Sequence, residues 1–208
     1  MTADSITVRP FPARPAPGKE PSRHLLELTT LYEMSKLLGS SFEMEQPIAG
    51  TLRILDSFLG MRKATVLLAD PTTEELTIRV AHGMTPEEIT RGRYRRGEGI
   101  LGKVFQHGVP MVIPDVGTEP LFLDRTRSRG DLTAKRLSLI AVPIKAGGQT
   151  IGVLSADRPV GPRTSFEEDV RILTIVASLI GHSVNLHQHL AREREGLLEQ
   201  TRGLQQAL

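Results

Sequence analysis

The chain has 208 residues, 26 lysines and arginines against 24 aspartates and glutamates, and no cysteine. The length suits one domain with extensions, and the missing cysteine excludes disulfides, thiolate nucleophiles and cysteine-ligated metals. A formal net charge of +2 and an aromatic content of 4% leave neither a basic footprint nor a stacking platform for nucleic acid.

Residues 1–21 carry Pro10, Pro12, Pro15, Pro17 and Pro21 and few large apolar groups, so a disordered tail is expected there. That stretch lacks the apolar centre of a signal peptide. No apolar run reads as long enough to cross a bilayer, so a cytoplasmic location is expected. Ser22 is placed to cap a helix with Leu25, Leu28, Leu31, Tyr32 and Leu38 at helical spacing. Gly39, Ser40 and Ser41 interrupt it. A second helix is expected from Pro47, with Ile48, Leu52, Leu55 and Leu59 on one stripe and Gly60 closing it.

From residue 63 the period changes. Ala64–Ala69 reads as a buried strand, Asp70-Pro71-Thr72 as a turn, and Leu76, Ile78 and Val80 as the apolar side of a half-buried partner. This predicts an antiparallel hairpin. A helical turn over Pro86–Ile89 and a short strand over Arg93–Arg95 follow. Gly97-Glu98-Gly99 then feeds a helix of about two turns bearing Ile100, Leu101, Val104 and Phe105. Met111–Ile113 is a short strand. Residues 115–136 form a long, charged connection with one short helix expected near Pro120–Asp124; connections this long are usually functional or mobile.

Leu137–Ile144 is the most apolar strand, Gly147-Gly148 the turn, and Thr150–Ala156 the partner strand. Ser165, followed by Glu167, Glu168 and Asp169, starts the last helix, where negative charge suits the helix dipole. Phe166, Val170, Leu173, Val176, Ala177, Ile180 and Val184 form its apolar stripe. Residues 191–208 read as a helical extension or linker, weakened at Gly196. The order predicts an α/β (α+β) domain over residues 22–190. It has a mostly antiparallel sheet of about five or six strands, with the terminal helices on one face and the short helix and long loop on the other. A hollow between sheet and loop is a natural small-molecule site.

The stretches RYRRGEGILGKVFQHGVPMVIPDVGTEPLFLDR and LIAVPIKAGGQTIGVLSADRP resemble the central segment and closing hairpin of GAF domains. Tyr94 with Gly97-Glu98-Gly99, Phe122-Leu123-Asp124-Arg125 and Ile140–Lys145 resemble most the amino-terminal regulatory domains of the NifA family of nitrogen-fixation transcriptional activators. The resemblance implies a sensor that controls an attached ATPase acting on RNA polymerase with the alternative nitrogen sigma factor, with a DNA-binding domain beyond. It implies input from 2-oxoglutarate, a PII-type protein or a regulatory flavoprotein. These 208 residues hold no Gly-rich phosphate loop ending in Gly-Lys-Ser/Thr, so neither an ATPase nor any other catalytic centre is expected in them. The other reading is the GAF domain of a sensor kinase or another regulator, serving mainly as a dimerisation platform. A GAF-type sulfoxide reductase would need cysteine.

Candidate ligand residues are Arg93, Arg95, Gly97, Gly99, Arg127, Arg129, Arg136 and Lys145. Glycine N–H groups at a helix start can cradle an anion, and paired guanidinium groups suit a dicarboxylate. The plainer alternatives are a glycine-only turn, a solvated arginine surface and a hairpin-end lysine. Leu25, Leu28, Ile172, Ile175, Leu179 and Leu186 are candidates for a homodimer interface through the terminal helices, with an intramolecular core as the alternative. His182 and His189 lie seven apart on the last helix, without the partners of a metal signature.

Overall fold

The computed structural model describes the backbone of residues 23–38, 44–130, 136–160 and 165–206. The expected tail, the interruption at Gly39–Ser41 and the cap at Ser22 lie outside them. Eleven elements follow in chain order: α1 (Arg23–Leu38), α2 (Glu45–Leu59), β1 (Lys63–Ala69), β2 (Leu76–His82), α3 (Pro86–Arg91), β3 (Arg93–Tyr94), α4 (Gly99–His107), β4 (Met111–Ile113), β5 (Leu137–Ala146), β6 (Gln149–Pro159) and α5 (Phe166–Gln206).

The strands form one six-stranded sheet in the order β3-β2-β1-β6-β5-β4. Every neighbouring pair is antiparallel. Hairpins β1–β2 and β5–β6 are joined at the centre through β1 and β6, where Val66 faces Leu154 and Lys63 faces Asp157. Strand residues alternate between faces, so each strand supplies two layers. Ala64, Val66, Ile140, Val142, Ile144, Leu154 and Ala156 pack under α2 and α5, with Ile48, Leu52, Ile172, Leu173, Val176 and Ile180. Leu67, Ile78, Leu139, Ala141 and Val153 meet Ile100, Leu101, Val104 and Phe105 of α4 on the opposite face. The expected layering is therefore present.

Three details differ from the sequence reading. In β2, Val66 pairs with Val80 but Leu67 pairs with Ile78, so Arg79 is an extra residue. This bulge turns Val80 to the helical side while Leu76 and Ile78 stay on the α4 side. Residues 120–121 make only a turn, closed by Phe122 N–H donating to the Glu119 carbonyl at 3.1 Å; no helix forms there. Gly196 does not break α5, which is continuous to Gln206.

That helix also corrects the membrane expectation. Within Phe166–Arg194 an 18-residue window reaches a mean hydropathy of 1.2, enough by length and composition alone to cross a bilayer. Its apolar stripe is instead committed to the sheet through Leu173, Val176, Ala177, Ile180 and Val184. The contact is close at Gly181, where an added Cβ would stand 2.2 Å from the Lys145 carbonyl oxygen of β5.

Candidate functional site

The face opposite the helical layer is apolar under α4 and polar beside it. Alternation puts Lys63 and Thr65 of β1 and Ser155 and Asp157 of β6 on this side, with Lys63 directly across from Asp157. The Thr65 and Ser155 hydroxyls are buried and 2.7 Å apart. Residues 115–130 run over this area as a strap, tied at several points. Val116 N–H donates to the Leu137 carbonyl at 2.9 Å. Arg91 of α3 donates to the Thr126 carbonyl from Nε and Nη2, at 3.2 and 2.7 Å. Lys63 Nζ donates to the Ser128 carbonyl. Arg125 pairs with Glu98 and lies over the Tyr94 ring.

The innermost tie is Arg129. Its Nη2 donates to Asp157 Oδ1 at 2.9 Å, and its Nε stands 2.7 Å from Oδ2. Asp157 is 3% exposed, and the Arg129 side chain is 7% exposed. The guanidinium also lies over the Phe122 ring, 4.9 Å from its centroid, and reaches Thr126 Oγ1 at 3.4 Å. Burial pushes the Asp157 carboxyl above the usual carboxylate range, and the Arg129 charge offsets this only in part. Burial, the largest influence, would lower Arg129; the attraction and hydrogen bond of Asp157, with Tyr94 and Asp124, together outweigh it and hold the guanidinium above its ordinary value. Two ions taken out of water and paired in this way are costly to separate.

The candidate ligand residues do not converge. Arg129 alone among the named arginines enters the interior. Arg93 is exposed and pairs with Glu75 at 3.4 Å, and Arg136 is exposed and pairs with Asp115 at 3.4 Å. Arg95 lines a shallow surface depression with Arg96, Thr73, Glu74 and Glu75. Arg127 is exposed at a positive φ of 52°. Lys145 is exposed at the far end of β5.

Gly97 and Gly99 shape the entry to α4. Gly97 has φ of 78°, and its N–H donates to the Gly102 carbonyl at 2.9 Å. The Glu98 carboxylate between them accepts from Arg95 N–H at 2.8 Å and from Arg125, so a negative group already stands at this helix start. The residues missed by sequence reasoning are Asp157, Lys63, Thr126 and Ser128. The one signal available was a carboxylate inside an otherwise apolar strand, GVLSADRP.

The dimer candidates divide between core and surface. Ile172 is buried, and Leu179 packs partly against the core. Leu28, Ile175 and Leu186 are 65%, 40% and 59% exposed. The Leu25 side chain lies outside the described residues. Among the described residues no group of three or more His, Asp or Glu could hold a metal ion.

The curled sheet, its helical layer and the strapped polar face define the α+β class expected above. A family model described as GAF domain matches residues 43–184, and the chain belongs to the GAF domain family. It is 43% identical over 185 residues to a Nif-specific regulatory protein of Azospirillum brasilense, covering 88% of this chain and 29% of the relative. It is 41% identical to one of Herbaspirillum seropedicae, covering 88% and 34%. The chain thus spans roughly a third of the length of these relatives. Among solved structures, the A. aeolicus nlh2 GAF domain in an inactive state is 28% identical, with a TM-score of 0.69 over 79% of this chain and 98% of that one. The GAF domain of a Coxiella burnetii phosphoenolpyruvate-protein phosphotransferase shares the fold, with a TM-score of 0.71 at 16% identity over 81% and 98%.

Proposed function

We propose that this chain is the signal-receiving domain of a nitrogen-fixation transcriptional activator, and that its effector side is the strapped face of the sheet. The observation that carries the reading is the 43% identity to a Nif-specific regulatory protein across 88% of the chain. The site supports it. Buried Thr65, Ser155, Arg129 and Asp157 make a polar interior under a strap tied mostly by side chains, and such a strap can open without breaking the sheet ladder. In the whole protein the domain would restrain or release an attached ATPase acting on RNA polymerase with the alternative nitrogen sigma factor. Its setting would be the cytoplasm, with the domain as a homodimer through α1 and α5. The effector reading is 2-oxoglutarate, whose carboxylates suit the Arg129 fork, or a PII-type protein or regulatory flavoprotein acting on the strap.

A second reading has its own observation: Arg129 and Asp157 already pair with one another, leaving the domain as a dimerisation platform. Calorimetric titration of the purified domain with 2-oxoglutarate, cyclic nucleotides and a PII-type protein separates the two. A saturable heat that Arg129→Met abolishes supports effector sensing. Flat titrations with an unchanged dimer favour the platform.

A further inference from the structure

β6 ends in Asp157-Arg158, and consecutive strand residues point to opposite faces. Asp157 faces the strap and is gripped by Arg129. Arg158 faces the helical layer, where Nη1 contacts both carboxylate oxygens of Asp169. Asp169 is fully buried, 0% exposed, in the first turn of α5. Two ion pairs with buried carboxylates therefore stand back to back across the sheet, on adjacent residues of one strand.

The backbone between them is held as one piece. Ser138 Oγ donates to the Arg158 carbonyl at 3.0 Å, and Val160 N–H donates to the Arg136 carbonyl at 3.2 Å. Those bonds tie the end of β6 to the start of β5, where the long connection returns to the sheet. The Arg129–Asp157 pair cannot be broken cheaply, because removing one partner of a buried ion pair is strongly destabilising. Loss of the Arg129 grip then favours movement of Asp157, and Arg158 shares its peptide unit.

We propose that Asp157-Arg158 is a relay that passes release of the strap to the start of α5, the helix that runs on to Gln206. This rests on the strapped face being the input side, and it deepens that reading by naming how the site is read out. The device has two faces and one shared backbone. Coupling must then be reciprocal, as any linkage of two equilibria requires.

Amide hydrogen exchange on the full chain, without ligand, tests it. In Arg129→Met, exchange over residues 165–172 should rise at least about fivefold, the lower end of ordinary coupling, while α2 and the β1–β2 hairpin keep their protection. Asp169→Asn should speed exchange over residues 122–130 in return. With Arg158→Met in the background, Arg129→Met should add nothing further at α5. Arg125→Met cuts the outer ties, to Glu98 and over the Tyr94 ring, and should leave α5 unchanged. Should Arg129→Met prevent folding, Arg129→Lys replaces it, keeping the charge and losing the fork. Unchanged exchange at residues 165–172, a rise spread evenly over the chain, or additivity in the Arg158→Met background would each overturn the relay. Because no effector is added, flat calorimetric titrations would count against effector sensing and leave this result standing.

Discussion

At the residue scale the decisive feature is a buried ion pair. Arg129 is deeply buried and shares two close contacts with Asp157, itself packed against the strap and Lys63. Its removal should be asymmetric. Arg129→Met strands a carboxylate, and Asp157→Leu strands a guanidinium; each should cost about 3–5 kcal/mol. The double variant leaves neither charge unpaired and should cost clearly less than either single change, as read by denaturant unfolding in a double-mutant cycle. The pH profile offers a second readout. Folding raises the Asp157 carboxyl above its unfolded value, so the folded state holds the extra proton. The associated stability is complete below the ordinary carboxylate value and is lost as pH rises through the raised one. Asp157→Asn should remove that slope from the stability curve. A variant with the parent slope would place the proton elsewhere.

At the element scale, helix and strand existence was legible because the apolar periods are clean, and boundaries moved by only a few residues. Gly60 closes α2 with φ of 68°, as its place after Leu59 suggested. The bulge at Arg79 was not legible, since Leu76, Ile78 and Val80 alternate as a single face would. Only pairing with β1 splits them between the two layers. Arg129 and Asp157 were equally hidden: they are 28 residues apart, and the strap has no period to fix where its arginines point. Helix-to-sheet spacing was hidden too, though it makes a sharp prediction at Gly181. A methyl group there would stand 2.2 Å from the Lys145 carbonyl oxygen, too close unless α5 lifts from β5. Gly181→Ala should therefore destabilise by about 1–3 kcal/mol despite alanine's better helix propensity. A thermal melt at or above the parent's would show that α5 can lift at no cost.

At the scale of the whole molecule, the question is what covers the outer side of the terminal helices. Ile175, Leu179, Leu186 and Leu190 follow at spacings of four, seven and four along α5, which keeps them near one side. Leu28 and Tyr32 are one turn apart on α1, which packs beside α5. Leu28, Tyr32, Ile175, Leu186 and Leu190 remain exposed, so the face turned from the sheet is apolar as well. A helix apolar on two sides favours a second partner, and in the proposed homodimer another copy of the chain would supply a matching face. The interface candidates are thus divided in role: Ile172 belongs to the core and Leu186 to the outer face. Leu186→Glu should leave the fold and its circular dichroism intact, because it touches no core contact, while weakening self-association at least tenfold in sedimentation equilibrium. Ile172→Glu should instead unfold the domain, since it places a carboxylate under the sheet. If Leu186→Glu and the parent sediment alike as monomers, the outer face meets some other partner. If both sediment alike as dimers, the two copies join through a different surface.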